Sequence, residues 1–151
     1  MTEDKRVLKT KARLHHTLLK LILAKGYDGV TIEDVLQEAD VARSTFYAHF
    51  RNKADLLLGN IRSDILRLPR AEHPGELPSV AWIFEHVSEN MPLYRALEGT
   101  EAMTHVYRNF DEGLQRNWLE ILAELKKAGF NVPEPIAPAA AYLSHALIGL
   151  L

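Results

Sequence analysis

The sequence predicts an all-α fold, a small three-helix unit followed by a second helical unit. Three observations predict it. Apolar residues recur at three- and four-residue spacing almost throughout the chain. Glycine, proline and capping residues punctuate that pattern at helical intervals. No stretch alternates apolar and polar residues over a useful length, and there is no internal repeat or low-complexity tract. The 151 residues are 47% hydrophobic and 25% charged, which suffices for a true core and excludes bulk disorder.

Leu14, Leu18, Leu21 and Ile22 form the apolar stripe of the first helix. Lys25-Gly26 ends it, because Gly suits the left-handed C′ position and Lys the negative helix end. Tyr27-Asp28-Gly29 then reads as a turn. Thr31 opens a second helix, with Asp34 three residues on as a capping-box partner and an apolar face of Ile32, Val35, Leu36 and Ala39. It stops near Asp40, because a short helix with a different face begins near Arg43. Asn52 caps the next helix, with Asp55 three residues on, and Leu56, Leu57, Ile61, Ile65 and Leu68 carry it to Pro69.

Residues 69–78, PRAEHPGELP, hold three prolines and one glycine and read as a linker. Beyond it a helix runs over about 79–90, and Pro92 interrupts before a short segment that reaches Leu97. Thr100 caps a long helix through Met103, Val106, Phe110, Leu114, Trp118 and Leu125, which Lys126, Lys127 and Gly129 close. Pro133, Pro135 and Pro138 precede a last apolar segment, AAAYLSHALIGLL.

Composition excludes several function classes. The chain has no cysteine, so disulfides, thiolate zinc sites, iron–sulfur clusters and cysteine nucleophiles are ruled out together. No apolar run approaches the roughly 20 residues that span a bilayer. The charged N-terminal stretch MTEDKRVLKTKAR lacks the apolar core of a secretion signal, and a cytoplasmic location is expected. No P-loop, G-x-G-x-x-G, G-x-S-x-G or H-E-x-x-H motif is present. Glu85 and Glu89 are four apart, as surface charges on an amphipathic helix commonly are, so no enzyme is expected. His15-His16 point to different faces of a helix and read as ordinary exposed residues; the remaining histidines are dispersed, and no metal or cofactor is expected.

The formal net charge of −2 speaks against a nucleic-acid partner, but its distribution does not. Residues 1–55 carry a net +2 and residues 56–151 a net −4, with Lys5, Arg6, Lys9, Lys11 and Arg13 gathered near the start. The basic end is the one that contains the helix, turn, short helix arrangement of residues 26–57. Two helices joined by a three- or four-residue turn form a helix-turn-helix unit. In its short segment, ARSTFYAHF, Phe46 and Phe50 lie four apart and face the core together. Arg43, Ser44, Thr45, Ala48 and His49 are left outward. Small hydrogen-bonding side chains there can approach base edges, and Arg can pair with guanine. The Tyr47 hydroxyl and the Lys53 ammonium, at the start of a helix, are suited to phosphate.

GYDGVTIEDVLQEADVARSTFYAHFRNKADLL closely resembles the DNA-binding signature of the TetR family of bacterial transcriptional regulators. The resemblance covers roughly residues 13–57. It rests on Gly26-Tyr27, Thr31-Ile32, Ala39, Val41, Thr45-Phe46-Tyr47, His49-Phe50, Lys53 and Leu56. It implies a helix-turn-helix DNA-binding domain over 1–52, a connecting helix over 53–68, and a helical effector-binding and dimerisation domain over 69–151. It further implies a homodimer that binds a near-palindromic operator in double-stranded DNA. Arg43, Ser44 and Thr45 would contact bases, and Thr31, Tyr47, His49 and Lys53 would contact phosphates. Two positions depart from the family pattern. Asp40 stands where Gly is usual, at a site that calls for a left-handed backbone. Ala42 stands where Ser or Thr usually caps the recognition helix, a loss of about 0.5–2 kcal/mol in isolation.

The second half resembles the family in architecture only and identifies no effector. Trp82, His86, Tyr94, Met103, Tyr107, Phe110, Trp118, Tyr142 and His145 are candidates to line a pocket for an unknown small molecule. Most aromatics at helical spacing are core, so only one or two of this set are expected to touch a ligand. The reading is a ligand-responsive regulator that acts as a repressor; the alternative is a DNA-binding regulator without small-molecule response that acts through a protein partner. The apolar end at Leu151 suggests a chain incomplete at its C-terminus, or a final helix covered by a partner subunit. The other outcome is that Tyr142, Leu143, Leu147 and Leu150 fold back on their own domain.

Overall fold

The computed structural model describes residues 5–64 and 80–150, without the side chains of 60–64. Among the described residues every regular element is a helix, with no strand. In chain order the helices are α1 (Lys5–Lys25), α2 (Ile32–Ala39), α3 (Arg43–Tyr47), α4 (Lys53–Asp64), α5 (Ala81–Glu89), α6 (Met91–Leu97), α7 (Glu101–Lys127) and α8 (Ile136–Ile148). The expected end of the connecting helix, 65–68, and the Pro-rich linker, 69–78, lie outside the described residues.

The chain divides into two compact units, one of residues 1–62 with 90–106 and the other of residues 63–89 with 107–151. The core of the first follows from the α1 stripe. Leu14, Leu18 and Ile22 are fully buried, and α1 packs on both α2 and α6. Val35, Leu36 and Ala39 of α2, Phe46 of α3, Leu56 and Leu57 of α4 and Leu97 of α6 are also buried in this unit. Burying a large aliphatic or aromatic side chain contributes about 1.5–3 kcal/mol, so these residues hold the three N-terminal helices as one body. Of the adjacent histidines, His16 is exposed as expected. His15 is not: it is half-buried, with the backbone carbonyl of Leu57 as a hydrogen-bond partner.

Glycine is required at two positions in the α1–α2 turn. Gly26 has φ 75°, a left-handed conformation that β-carbon sterics disfavour. A Cβ at Gly29 would fall 2.5 Å from the carbonyl oxygen of Lys25.

In the second unit the interior holds Ile83 of α5, Phe110, Leu114, Trp118 and Leu122 of α7, and Ala140, Ser144 and Leu147 of α8. Ser144 is fully buried, and its hydroxyl donates to the Asp111 carboxylate at 2.8 Å, joining α8 to α7. Two prolines sit inside helices that they were expected to precede or break. Pro92 occupies the first turn of α6 and Pro138 the first turn of α8. The reason is common to both: first-turn N–H groups have no intrahelical acceptor, so a residue lacking one is tolerated there.

Candidate nucleic-acid interface

The interface is built outward from the start of α2. Thr31 is extended (φ −97°, ψ 164°) and caps the helix. Its hydroxyl accepts from the Asp34 N–H at 3.1 Å, and its own N–H donates to the Asp34 carboxylate at 2.8 Å. Lys25, the last residue of α1, donates to the same carboxylate at 2.7 Å. That lysine is the largest influence holding the Asp34 carboxyl well below the usual carboxylate range, followed by the two Thr31 hydrogen bonds. The local capping pattern therefore ties α1 to α2 as well. Capping uses the Thr31 hydroxyl as an acceptor and leaves its proton for an anion.

At the other end of α2, Asp40 is left-handed (φ 49°, ψ 57°). A glycine would adopt this without strain; Asp is one of the few other residues that visit it. Its N–H donates to Gln37 and the Val41 N–H to Leu36, which closes the helix. Its carbonyl accepts from the Arg13 guanidinium at 3.1 Å, so α1 also holds the turn that sets the direction of α3.

α3 begins at Arg43 without a side-chain cap, since Ala42 has none to offer. Phe46 is fully buried and Phe50 nearly so, with ring centroids 5.7 Å apart. Tyr47 packs edge-on against Phe46 at 5.2 Å yet remains 49% exposed, so its hydroxyl is presented outward while its ring anchors the helix. Arg43 and Ser44 are exposed; Thr45 and His49 are half-buried. Arg43 is also ion-paired to Glu33 in the first turn of α2, with both side chains more than half exposed.

α4 opens beside α3. Asn52 Oδ1 accepts from the Asp55 N–H at 2.8 Å, and Asp55 Oδ2 accepts from the Arg51 N–H at 3.0 Å. The first residue of the helix, Lys53, is half-buried. Its Nζ donates to the carbonyls of Tyr27 at 2.6 Å and Val30 at 2.7 Å and lies 3.9 Å from the centre of the Tyr27 ring. Burial is the main influence lowering its pKa. Lys53 is thus a tie between α4 and the α1–α2 turn, a role that helix-end reasoning about phosphate had not foreseen.

All seven residues expected to face DNA fall in the first unit. The effector candidates do not share one unit: Tyr94 and Met103 belong to the first and the others to the second. Within the second, Phe110 and Trp118 are buried, 4% and 5% exposed, whereas Tyr107 and Tyr142 stand on the surface at 49% and 73%. The indole N–H groups of Trp82 and Trp118 are buried without a hydrogen-bond partner. His86 is half-buried, which lowers its pKa, with Glu89 opposing. His145 is exposed and paired with Asp111 at 3.4 Å.

Several contacts in the first unit escaped the sequence, among them Arg13 to Asp40, Lys53 to Tyr27 and Val30, and Arg43 to Glu33. The first two join residues 27 and 26 apart, beyond any helical repeat. The third joins the first turns of two helices, and only the opposite charges of Glu33 and Arg43 hinted at it.

Residues 16–59 match the model of the bacterial regulatory proteins, tetR family. The chain is similar to YxbF, an uncharacterized HTH-type transcriptional regulator of Bacillus subtilis (strain 168), with 29% identity over 98% of this chain and 40% of that protein. It is also similar to two others from the same organism, both uncharacterized HTH-type transcriptional regulators. YwcC is 25% identical over 68% of this chain and 59% of its own length. YerO is 35% identical over 32% of this chain and 17% of its own length. The chain therefore spans less than two thirds of the length of each of these relatives. Among the described residues no helix is long and apolar enough to cross a membrane.

Proposed function

Through its helix-turn-helix residues the chain belongs to the TetR family of bacterial regulatory proteins, and from that premise we propose a ligand-responsive transcriptional repressor. It binds a near-palindromic operator as a homodimer and has no catalytic role. The supporting observation is the exposed side of α3. Phe46 and Phe50 hold the helix from below, while Arg43, Ser44 and Tyr47 remain exposed and Arg43 pairs with Glu33 in the first turn of α2, which Thr31 caps. Arg43, Ser44 and Thr45 read base edges in the major groove; Thr31, Tyr47, His49 and Lys53 hold the phosphates on either side.

Residues 1–52 serve as the DNA-binding domain, 53–68 as the connecting helix and 69–151 as the part that senses an effector and dimerises. The dimer forms through α8 and the residues just after it, where Tyr142 and Leu150 expose apolar surface that a second subunit would cover. An effector that prefers the DNA-incompetent state acts by changing the separation of the two recognition helices, which must match the helical repeat of DNA. Cytoplasmic residence follows from a DNA partner.

Selection of duplexes from a random pool by the purified protein tests this reading. Recovery of a sequence with two-fold symmetry, bound in a salt-dependent way, supports it. Thr45→Ala should then relax the preference at one base position by about 1–3 kcal/mol. Recovery of no preferred sequence would overturn it.

A further inference from the structure

The chain has two tryptophans, Trp82 and Trp118, and both belong to the second unit. The indole N–H of each is buried with no acceptor. A buried indole ordinarily finds a partner, because the hydrogen bond it gave to water must be replaced. Trp118 is the sharper case, since only 5% of the residue is exposed. It stands within α7 on a face where Phe110, Leu114, Trp118 and Leu122 follow at four-residue intervals, all buried. The buried hydroxyl of this unit, that of Ser144, already donates to Asp111.

We propose that Trp118 is the hydrogen-bond donor of a small-molecule site inside the second unit, and that the site takes an uncharged, apolar-bodied ligand through a carbonyl or ether oxygen. This rests on the ligand-responsive reading above and names the chemistry of its effector. Three observations fix the class. An indole offers one N–H and no acceptor, so the ligand supplies the oxygen. The face that carries the indole is otherwise aliphatic and aromatic, so the body of the ligand is apolar. Among the described residues of this unit no charged side chain is buried. A carboxylate or an ammonium would therefore enter unpaired, at a cost that a neutral oxygen does not meet. One polar group set in an apolar face orients such a ligand and selects for it.

Proton–nitrogen correlation spectra of the 15N-labelled full chain test this, because its two indole N–H groups give two resonances. The probes share one ring. Cyclohexanone carries the oxygen, methylenecyclohexane has CH2 in its place, and cyclohexanecarboxylate brings a charge. Cyclohexanone should move the Trp118 indole proton downfield, as hydrogen bonding does, and the other two should not. Trp118→Phe assigns the resonance and gives a second measurement. The affinity for cyclohexanone relative to methylenecyclohexane, followed through backbone amide shifts, should fall about three- to tenfold in the variant, as for one neutral hydrogen bond lost. Circular dichroism checks that the variant folds; if it does not, the indole shift in the unaltered chain decides alone. The proposal is overturned if cyclohexanone leaves the Trp118 resonance in place or moves that of Trp82 alone. It is overturned equally if methylenecyclohexane or the carboxylate moves the Trp118 resonance as far, or if the affinity ratio is unchanged in the folded variant. No DNA enters the measurement, so its failure would leave the DNA-binding reading standing, and a failure to bind duplex would leave the site standing.

Discussion

The Lys53 ammonium donates to the carbonyl oxygen of Tyr27 at 2.6 Å and lies 3.9 Å from the centre of the same residue's ring. With the bond to Val30, two of its three N–H donors serve the α1–α2 turn. The third is what a DNA phosphate would use. One residue thus sets the position of α4 against the turn and offers a charge at the helix start, and the two roles are separable by measurement.

Lys53→Ala should lower stability by about 1–3 kcal/mol, because two carbonyls lose a charged donor in a half-buried place. Urea denaturation of the free protein reads that loss. In DNA binding the same change should weaken selected and random duplexes alike and make the salt slope shallower by about one unit. Tyr27→Phe keeps ring and carbonyl and should leave stability nearly unchanged. A lost salt slope with full stability would make Lys53 a phosphate ligand alone.

Stability should fall as pH is lowered through the range just below 6.5, and His15 should carry part of that fall. Burial is the main cause lowering its pKa from 6.5, with the Leu57 carbonyl opposing and His16 adding to the shift. Between the folded value and 6.5 the unfolded chain binds more protons than the native one. Stability therefore rises with pH across that window and is lost on acidification. His15→Gln should flatten the dependence of the urea midpoint on pH between about 7.5 and 5. An unchanged slope would show that His15 titrates alike in both states.

Asp34 acts in a lower window. Its carboxyl is held below its ordinary value of 3.8, first by Lys25 and then by Thr31. A depressed carboxyl contributes stability that is complete above the unfolded value and is lost as pH falls below it. Asp34→Asn should reduce helix content near neutral pH and remove much of the further loss seen below about pH 4. Circular dichroism at 222 nm across that range is the measurement. A variant that loses helix on acidification as steeply as the parent would rule out Asp34 as the titrating group.

The contacts legible in the sequence are those closed within one helical turn. Thr31 with Asp34, Asn52 with Asp55 and Phe46 with Phe50 each span three or four residues, so residue type and spacing suffice. The left-handed Asp40 was legible only through the family resemblance, which has glycine at that place. Periodicity states which face of a helix is buried but not which residue meets it. Arg13 with Asp40, Lys53 with Tyr27 and Ser144 with Asp111 span 27, 26 and 33 residues, and none has a local signature. His15 shows the same limit: two adjacent histidines must face different ways, but only the place of α4 determines which one is buried. The starts of α6 and α8 were misplaced for another reason, since proline both breaks a helix and begins one.

Ala42 offers the last test, because it stands in a cap position with cap geometry and no cap. Its backbone is extended (φ −65°, ψ 143°), as an N-cap residue requires, and its carbonyl already accepts from Phe46 at 3.2 Å. A hydroxyl there needs no backbone movement to reach the N–H of Ser44 or Thr45, the second and third residues of α3. Ala42→Ser should therefore stabilise the protein by about 0.5–2 kcal/mol, read as a raised urea midpoint at constant slope. If the capped start of α3 also lies against a phosphate, the variant should bind random and selected duplexes more tightly by the same factor, leaving base preference untouched. Because serine adds no charge, the salt slope should stay as it is, unlike that of Lys53→Ala. A stability gain without tighter binding would confine the new hydroxyl to helix capping. Destabilisation would mean that the start of α3 is held by packing of Phe46 alone in a geometry that serine disturbs.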